Sequence, residues 1–192
     1  MKKANMSYFV YFGIVLLLVV VCVTGSYAWY TASVTNSGEV YNTVITAGTL
    51  RMGFENSQYF NVDDLAIISP EEVATLAPKS TFDVKNVGQV NASYDLYFNA
   101  TISNNLIHQD FKWELLVDGV SVQNGNFGTL TKNTSGDTTT AQFKINNSSL
   151  TLNPNQVNSC VFRVWLQDAE RNQIDLTEGT LSGNVSIIAV TK

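Results

Sequence analysis

Beyond residue 28 the chain alternates apolar and polar side chains with a period of two, the pattern of strands that bury one face. The longest run is Ala92 to Ser103. Ala92, Tyr94, Leu96, Phe98, Ala100 and Ile102 fall on one side, and Ser93, Asp95, Asn99 and Thr101 mostly on the other. Phe111-Lys112-Trp113-Glu114-Leu115 repeats the pattern. Val117-Asp118-Gly119-Val120 then reads as a tight hairpin, because Asp-Gly tolerates the two positive φ angles of a type I′ turn. Shorter alternations occur at Leu50, Met52 and Phe54, at Phe82 and Val84, and at Ala141, Phe143 and Ile145. Cys160, Phe162, Val164 and Leu166 form another face with Arg163 and Gln167 opposite, and Val185, Ile187 and Ala189 mark a closing strand. Turn clusters separate these runs at Asn124-Gly125-Asn126, Lys132 to Asp137, Asn146 to Ser149 and Asn153-Pro154-Asn155. One short helix is expected at Ser69 to Leu76, with Ser69 as its cap, Pro70 in first position, and Glu71 and Glu72 at the positive end of the dipole. About eight strands with polar turns predict an all-β chain, a two-sheet antiparallel sandwich of the jelly-roll kind. No linker, repeat or composition shift divides residues 29–192, which read as a single domain.

The first 28 residues obey a different rule. Lys2 and Lys3 supply a positive start, Tyr8 to Val23 carry no charge, and Thr24-Gly25-Ser26-Tyr27-Ala28 provides a small-residue exit. That is the layout of a secretory signal peptide spanning residues 1–28, cut between Ala28 and Trp29 by a signal peptidase. The protein is then expected outside the cell, in contact with the membrane only before cleavage. A retained anchor is the alternative, since counting from Tyr8 through Tyr30 reaches the length of a spanning helix. Cys22 falls within this segment and reads as apolar filler.

Composition narrows the chemistry. The formal charge is −5, and losing Lys2 and Lys3 with the leader makes it more negative still. An acidic chain lacks the basic footprint that neutralises phosphate, so nucleic acid is not an expected partner. His108 is the only histidine, which excludes an HExxH helix or a three-histidine metal site; among Asn104, Asn105 and Gln109 it reads as a solvated loop residue. Cys160 stands on an alternating apolar face and reads as a buried structural thiol. No GxSxG elbow or phosphate-cradling glycine loop occurs. Asp63-Asp64, Glu71-Glu72 and Asp168 with Glu170 are paired carboxylates of the sort an acidic surface carries, without EF-hand spacing. No catalytic residue, metal or cofactor is expected.

The most informative stretch is Trp29 to Thr49. Tyr30, Ala32 and Val34 alternate with Thr31, Ser33 and Thr35 before Asn36-Ser37-Gly38 breaks the run. Cleavage after Ala28 leaves this short strand, residues 29–36, at a free N-terminus. Gly25-Ser26-Tyr27-Ala28-Trp29-Tyr30, Asn42, and Ile45-Thr46-Ala47-Gly48-Thr49-Leu50-Arg51-Met52 together resemble the TasA/camelysin family of Gram-positive surface proteins. Leu76-Ala77-Pro78-Lys79 with Phe82-Asp83-Val84-Lys85-Asn86-Val87-Gly88 is similar to a downstream motif of that family, and Leu181 to Ile187 to its closing strand. The resemblance implies a secreted structural subunit of extracellular fibres in a biofilm matrix. It implies assembly by donation of the N-terminal strand to the next subunit, with Trp29, Tyr30, Ala32 and Val34 as the assembly residues; the alternative is that residues 29–35 form the first strand of their own sheet. The implied partners are further copies of the chain and a minor fibre subunit. Camelysin relatives have been classed as metallopeptidases, so a surface metallopeptidase is the rival expectation. A non-polymerising, membrane-anchored surface protein is the third.

Overall fold

The computed structural model describes residues 31–35, 41–47, 50–57, 59–63 and 65–190. The expected leader, its expected cleavage site at Ala28 and Trp29, and Tyr30 lie outside them.

Thirteen strands occur among the described residues. In chain order they are β1 Thr31–Thr35, β2 Tyr41–Ala47, β3 Leu50–Ser57, β4 Phe60–Val62, β5 Ile67–Ile68, β6 Lys79–Asn86 and β7 Ala92–Ser103. After these come β8 Phe111–Val117, β9 Val120–Asn126, β10 Thr138–Lys144, β11 Leu150–Leu152, β12 Val157–Gln167 and β13 Leu181–Val190. One sheet runs β1-β13-β7-β10, with β4 also on β13 and β11 on β7; the other runs β2-β3-β6-β12-β8-β9, with β5 on β12. All pairings are antiparallel except the two-residue β5–β12 contact. Taking β4, β6, β7, β8, β9, β10, β12 and β13 as strands 1 to 8, the two sheets have the orders 1-8-3-6 and 2-7-4-5. That is the jelly roll, an all-β sandwich, as the alternation predicts. It closes without β1, β2 or β3.

The predicted inward faces are the core. Tyr94, Leu96, Phe98 and Ile102 of β7 face Phe162, Val164 and Leu166 of β12 with essentially no exposure. At the centre Phe98 and Phe162 lie 4.5 Å apart between ring centroids, with Phe60 and Phe143 edge-on to Phe98 at 6.2 and 5.9 Å. Burial of each such side chain contributes about 1.5–3 kcal/mol before ordering costs. Asp118 and Gly119 take φ of 51° and 79°, so the β8–β9 connection is the expected type I′ hairpin.

Three expectations need correction. Asn124-Gly125-Asn126 is not a turn but the end of β9, with Gly125 paired to Trp113. A Cβ there would meet the indole at 2.7 Å, so the glycine makes room for a ring rather than a bend. The first helix, α1, is one turn at Val73–Leu76; Glu72 is its cap residue and makes no side-chain cap bond. Ser69 instead donates its hydroxyl to Glu72 Oε2 at 2.7 Å, within the preceding turn. A second one-turn helix, α2 at Ile174–Thr177, is too short for helical periodicity to announce it.

Cys160 has no exposure, as expected of a structural thiol. Burial, with the negative charge of Asp118 and Asp83, pushes its thiol up to about 12. Its neighbour Tyr94, also raised mainly by burial, accepts a 2.8 Å hydrogen bond from Asn158 Nδ2. Both folded-state values lie above the ordinary 9.0 and 10.0, so the unfolded chain releases these protons first. Stability is therefore expected to be unaffected by these groups below about pH 9 and to fall steadily above it. Urea midpoints between pH 7 and 11 check this, and a flat profile contradicts it. An aryl disulfide reagent at pH 8 is expected to leave Cys160 unlabelled until the protein is unfolded. The unfolded protein then shows one thiol if residues 1–28 are gone and two if Cys22 remains.

Candidate functional site

Of the expected assembly residues, Ala32 and Val34 fall on β1, while Trp29 and Tyr30 are outside the described residues. β1 occupies the edge of its sheet, and its partner is β13 of the same chain. The register is Thr31↔Val190, Ala32↔Ala189, Ser33↔Ile188, Val34↔Ile187 and Thr35↔Ser186. Ala32 and Val34 are thus opposite Ala189 and Ile187, two core residues with almost no exposure.

β13 is the strand on which the site is built. Its other side pairs along its full length with β7, from Leu181↔Ile102 to Val190↔Ser93. Asn99 of β7 reinforces that seam by donating to Ser186 Oγ at 3.0 Å while accepting from Gln142 Nε2 at 2.6 Å. The edge facing β1 is divided. β4 covers only Leu181, Ser182 and Gly183, and β1 covers Ser186 to Val190. Gly183 is needed at the β4 end, because a Cβ would approach the Asn99 carbonyl oxygen to 2.2 Å. Without β1, Ser186 to Val190 have no partner strand on this edge among the described residues, while the eight strands of the jelly roll keep their pairings.

The ionisable residues gather elsewhere. Asp110, nearly buried, accepts from Gln173 Nε2 at 3.0 Å and pairs with the Arg171 guanidinium. His108 Nδ1 accepts the Asp110 backbone N–H at 3.2 Å, and Nε2 lies 3.3 Å from Arg171. His108 is a half-exposed loop residue, as expected, and also part of a network that ties residues 168–177 to the start of β8. Sequence reasoning missed it because Arg171 and Gln173 are more than sixty positions from Asp110. Among the described residues, no group of three or more His, Cys, Asp or Glu side chains is placed to hold a metal ion. No helix among them is long and apolar enough to cross a membrane.

No protein-family model matches the chain, and no curated protein matches it. Solved structures offer distant likenesses. The Salmonella enterica trimeric lipoprotein SadB is 10% identical, covering 99% of this chain and 74% of its own, with a TM-score of 0.35. A family 35 carbohydrate binding module from an environmental isolate is 13% identical over 84% of this chain and 88% of its own, at 0.36. The K1 cleaved adhesin domain of Lys-gingipain from Porphyromonas gingivalis W83 is 11% identical over 84% and 99%, at 0.38. Likeness at this level carries nothing about what the chain does; the class, a jelly-roll β-sandwich, stands on the strand order.

Proposed function

We propose that the chain is a non-catalytic, exported structural subunit that forms extracellular fibres by passing β1 to the β13 edge of the next copy. The N-terminal resemblance to the TasA/camelysin fibre proteins motivates the reading. One structural observation supports it above the others: the jelly roll closes without β1, yet β1 holds a register on a half-edge that no other strand among the described residues covers.

The energetics favour exchange over loss of the strand. A five-residue strand gains several main-chain hydrogen bonds at roughly 0.5–1.5 kcal/mol net each, and ordering it costs roughly 1–2 kcal/mol per residue. Backbone pairing alone is close to neutral, so apolar anchors decide whether the strand docks. When β1 leaves its own β13 for a neighbour's, the same pairs are broken and remade. The balance then lies between lost rigid-body freedom and whatever Trp29 and Tyr30 bury between subunits, about 1.5–3 kcal/mol for each well-buried large side chain. Passing the strand one way along a row of copies is a head-to-tail contact, and such contacts grow into filaments unless the rotation closes a ring. Residues 36–40, only five positions, join β1 to β2, and short hinges favour exchange over return.

Electron microscopy of the exported protein is expected to show filaments, shortened by an excess of a peptide with the sequence of residues 29–36 and unaffected by its scrambled form. Filament lengths unchanged by the native-sequence peptide count against donation through this strand.

A further inference from the structure

The outer face of the second sheet carries chemistry that neither the core nor β1 uses. Cross-strand register arranges it in two rows. One runs Asn124, Glu114, Arg163 and Lys79 across β9, β8, β12 and β6; the next runs Asn126, Lys112 and Trp165. The rows are about 7 Å apart, two residues along a strand. Apart from Lys79, they floor a hollow of about 420 Å³, walled by Pro70 and Val73 on one side and by the end of β9 on the other. That is within the range of small-ligand clefts.

Two features fix the polar groups. Arg163 Nε and Nη2 both donate to the same oxygen, Glu114 Oε2. Glu114 Oε1 and Arg163 Nη1 take no part in these two bonds, which leaves a further acceptor and a further donor on the pair. Trp165 packs against the Ile68, Val73 and Ala77 cluster, and its Nε1 donates to Gln167 Oε1 at 3.1 Å, which sets the plane of the indole. Lys112, opposite Trp165, has no ion pair among the described residues.

We propose that this face binds a polysaccharide chain. The hydroxyls of a pyranose each donate and accept, which suits a surface that offers both a further acceptor on Glu114 and a further donor on Arg163. The C–H face of a sugar ring supplies the apolar surface an indole wants, while its rim stays polar. An apolar ligand would desolvate the Glu114–Arg163 pair with nothing in return. Neutral and uronic-acid chains share the diol chemistry, and Lys112 and Lys79 add partners for carboxylates if these are present.

The test is native electrophoresis of the exported protein through gels containing dextran or polygalacturonate. Retardation in either gel is expected: in both if the diols suffice, in polygalacturonate alone if the lysines contribute. The Glu114→Ala/Arg163→Ala pair, which leaves no lone charge, and Trp165→Ala should each weaken retardation about tenfold or more, as removing a central contact does. Their melting temperatures identify any variant that fails to fold, and the charge-pair variant carries the test if Trp165→Ala is unstable. Assembly-deficient protein should be retarded as strongly as the parent, so the two proposals fail separately. No retardation in either gel, or retardation that folded Glu114→Ala/Arg163→Ala protein retains in full, overturns the proposal.

Discussion

Protein carrying Ala32→Asp and Val34→Asp is expected to be exported and folded, yet to form no filaments. The two positions pair with Ala189 and Ile187, which are core residues, so docking β1 would carry two carboxylates into an apolar setting. Burying an unpaired carboxylate costs far more than a few main-chain hydrogen bonds return. β1 would stay undocked in the monomer and could not dock on a neighbour. The loss is of assembly rather than fold because β4, not β1, is the first strand of the jelly roll. Sedimentation and electron microscopy read assembly; thermal melting reads fold. Filaments at parental yield would show that this face does not join the subunits, and a collapsed melting transition would show that β1 belongs to the core.

The opposite partition is expected for Phe98→Ala. Phe98 has no exposure and is ringed by Phe60, Phe143 and Phe162. Its loss opens a cavity between the sheets that rigid strands cannot close. Truncations of this kind cost about 3–5 kcal/mol. For a domain of this size that is roughly 6–20 °C in melting temperature. Little protein should survive export, and what does should melt early while keeping the β1 edge intact. A shift below about 2 °C would mean the two sheets can repack around the gap, contrary to the density of ring contacts. Set beside the β1 variant, it separates what holds the molecule together from what joins it to another.

The core was legible in the chain because its strands are long and cleanly alternating. Ala92–Ser103 is read to the residue, and Asp118-Gly119 announces its own turn. Where the reading failed, a residue's reason lay in a distant partner. Gly125 looks like a bend until the Trp113 ring is seen against it. Phe60-Asn61-Val62 is too short to show a period, yet it opens the jelly roll. For the candidate site, the sequence supplies the alternation of β1 but not the strand it meets, since residues 31–35 pair with residues 186–190. The face around Trp165 was hidden in the same way: Lys112, Glu114, Arg163 and Gln167 read only as the solvent side of two strands until the register set them side by side.

Exchange of β1 between copies is tested most directly by a cross-link at one register pair. Cysteines replacing Ala32 and Ala189 would face each other across antiparallel strands, at a separation a disulfide can span. Cys160 is buried and does not compete. Oxidised after filaments form and run on a denaturing gel without reductant, this variant is expected to give a ladder of covalent multimers. Filaments that dissolve entirely into internally bridged monomers would contradict the account, because each strand would then have stayed with its own β13.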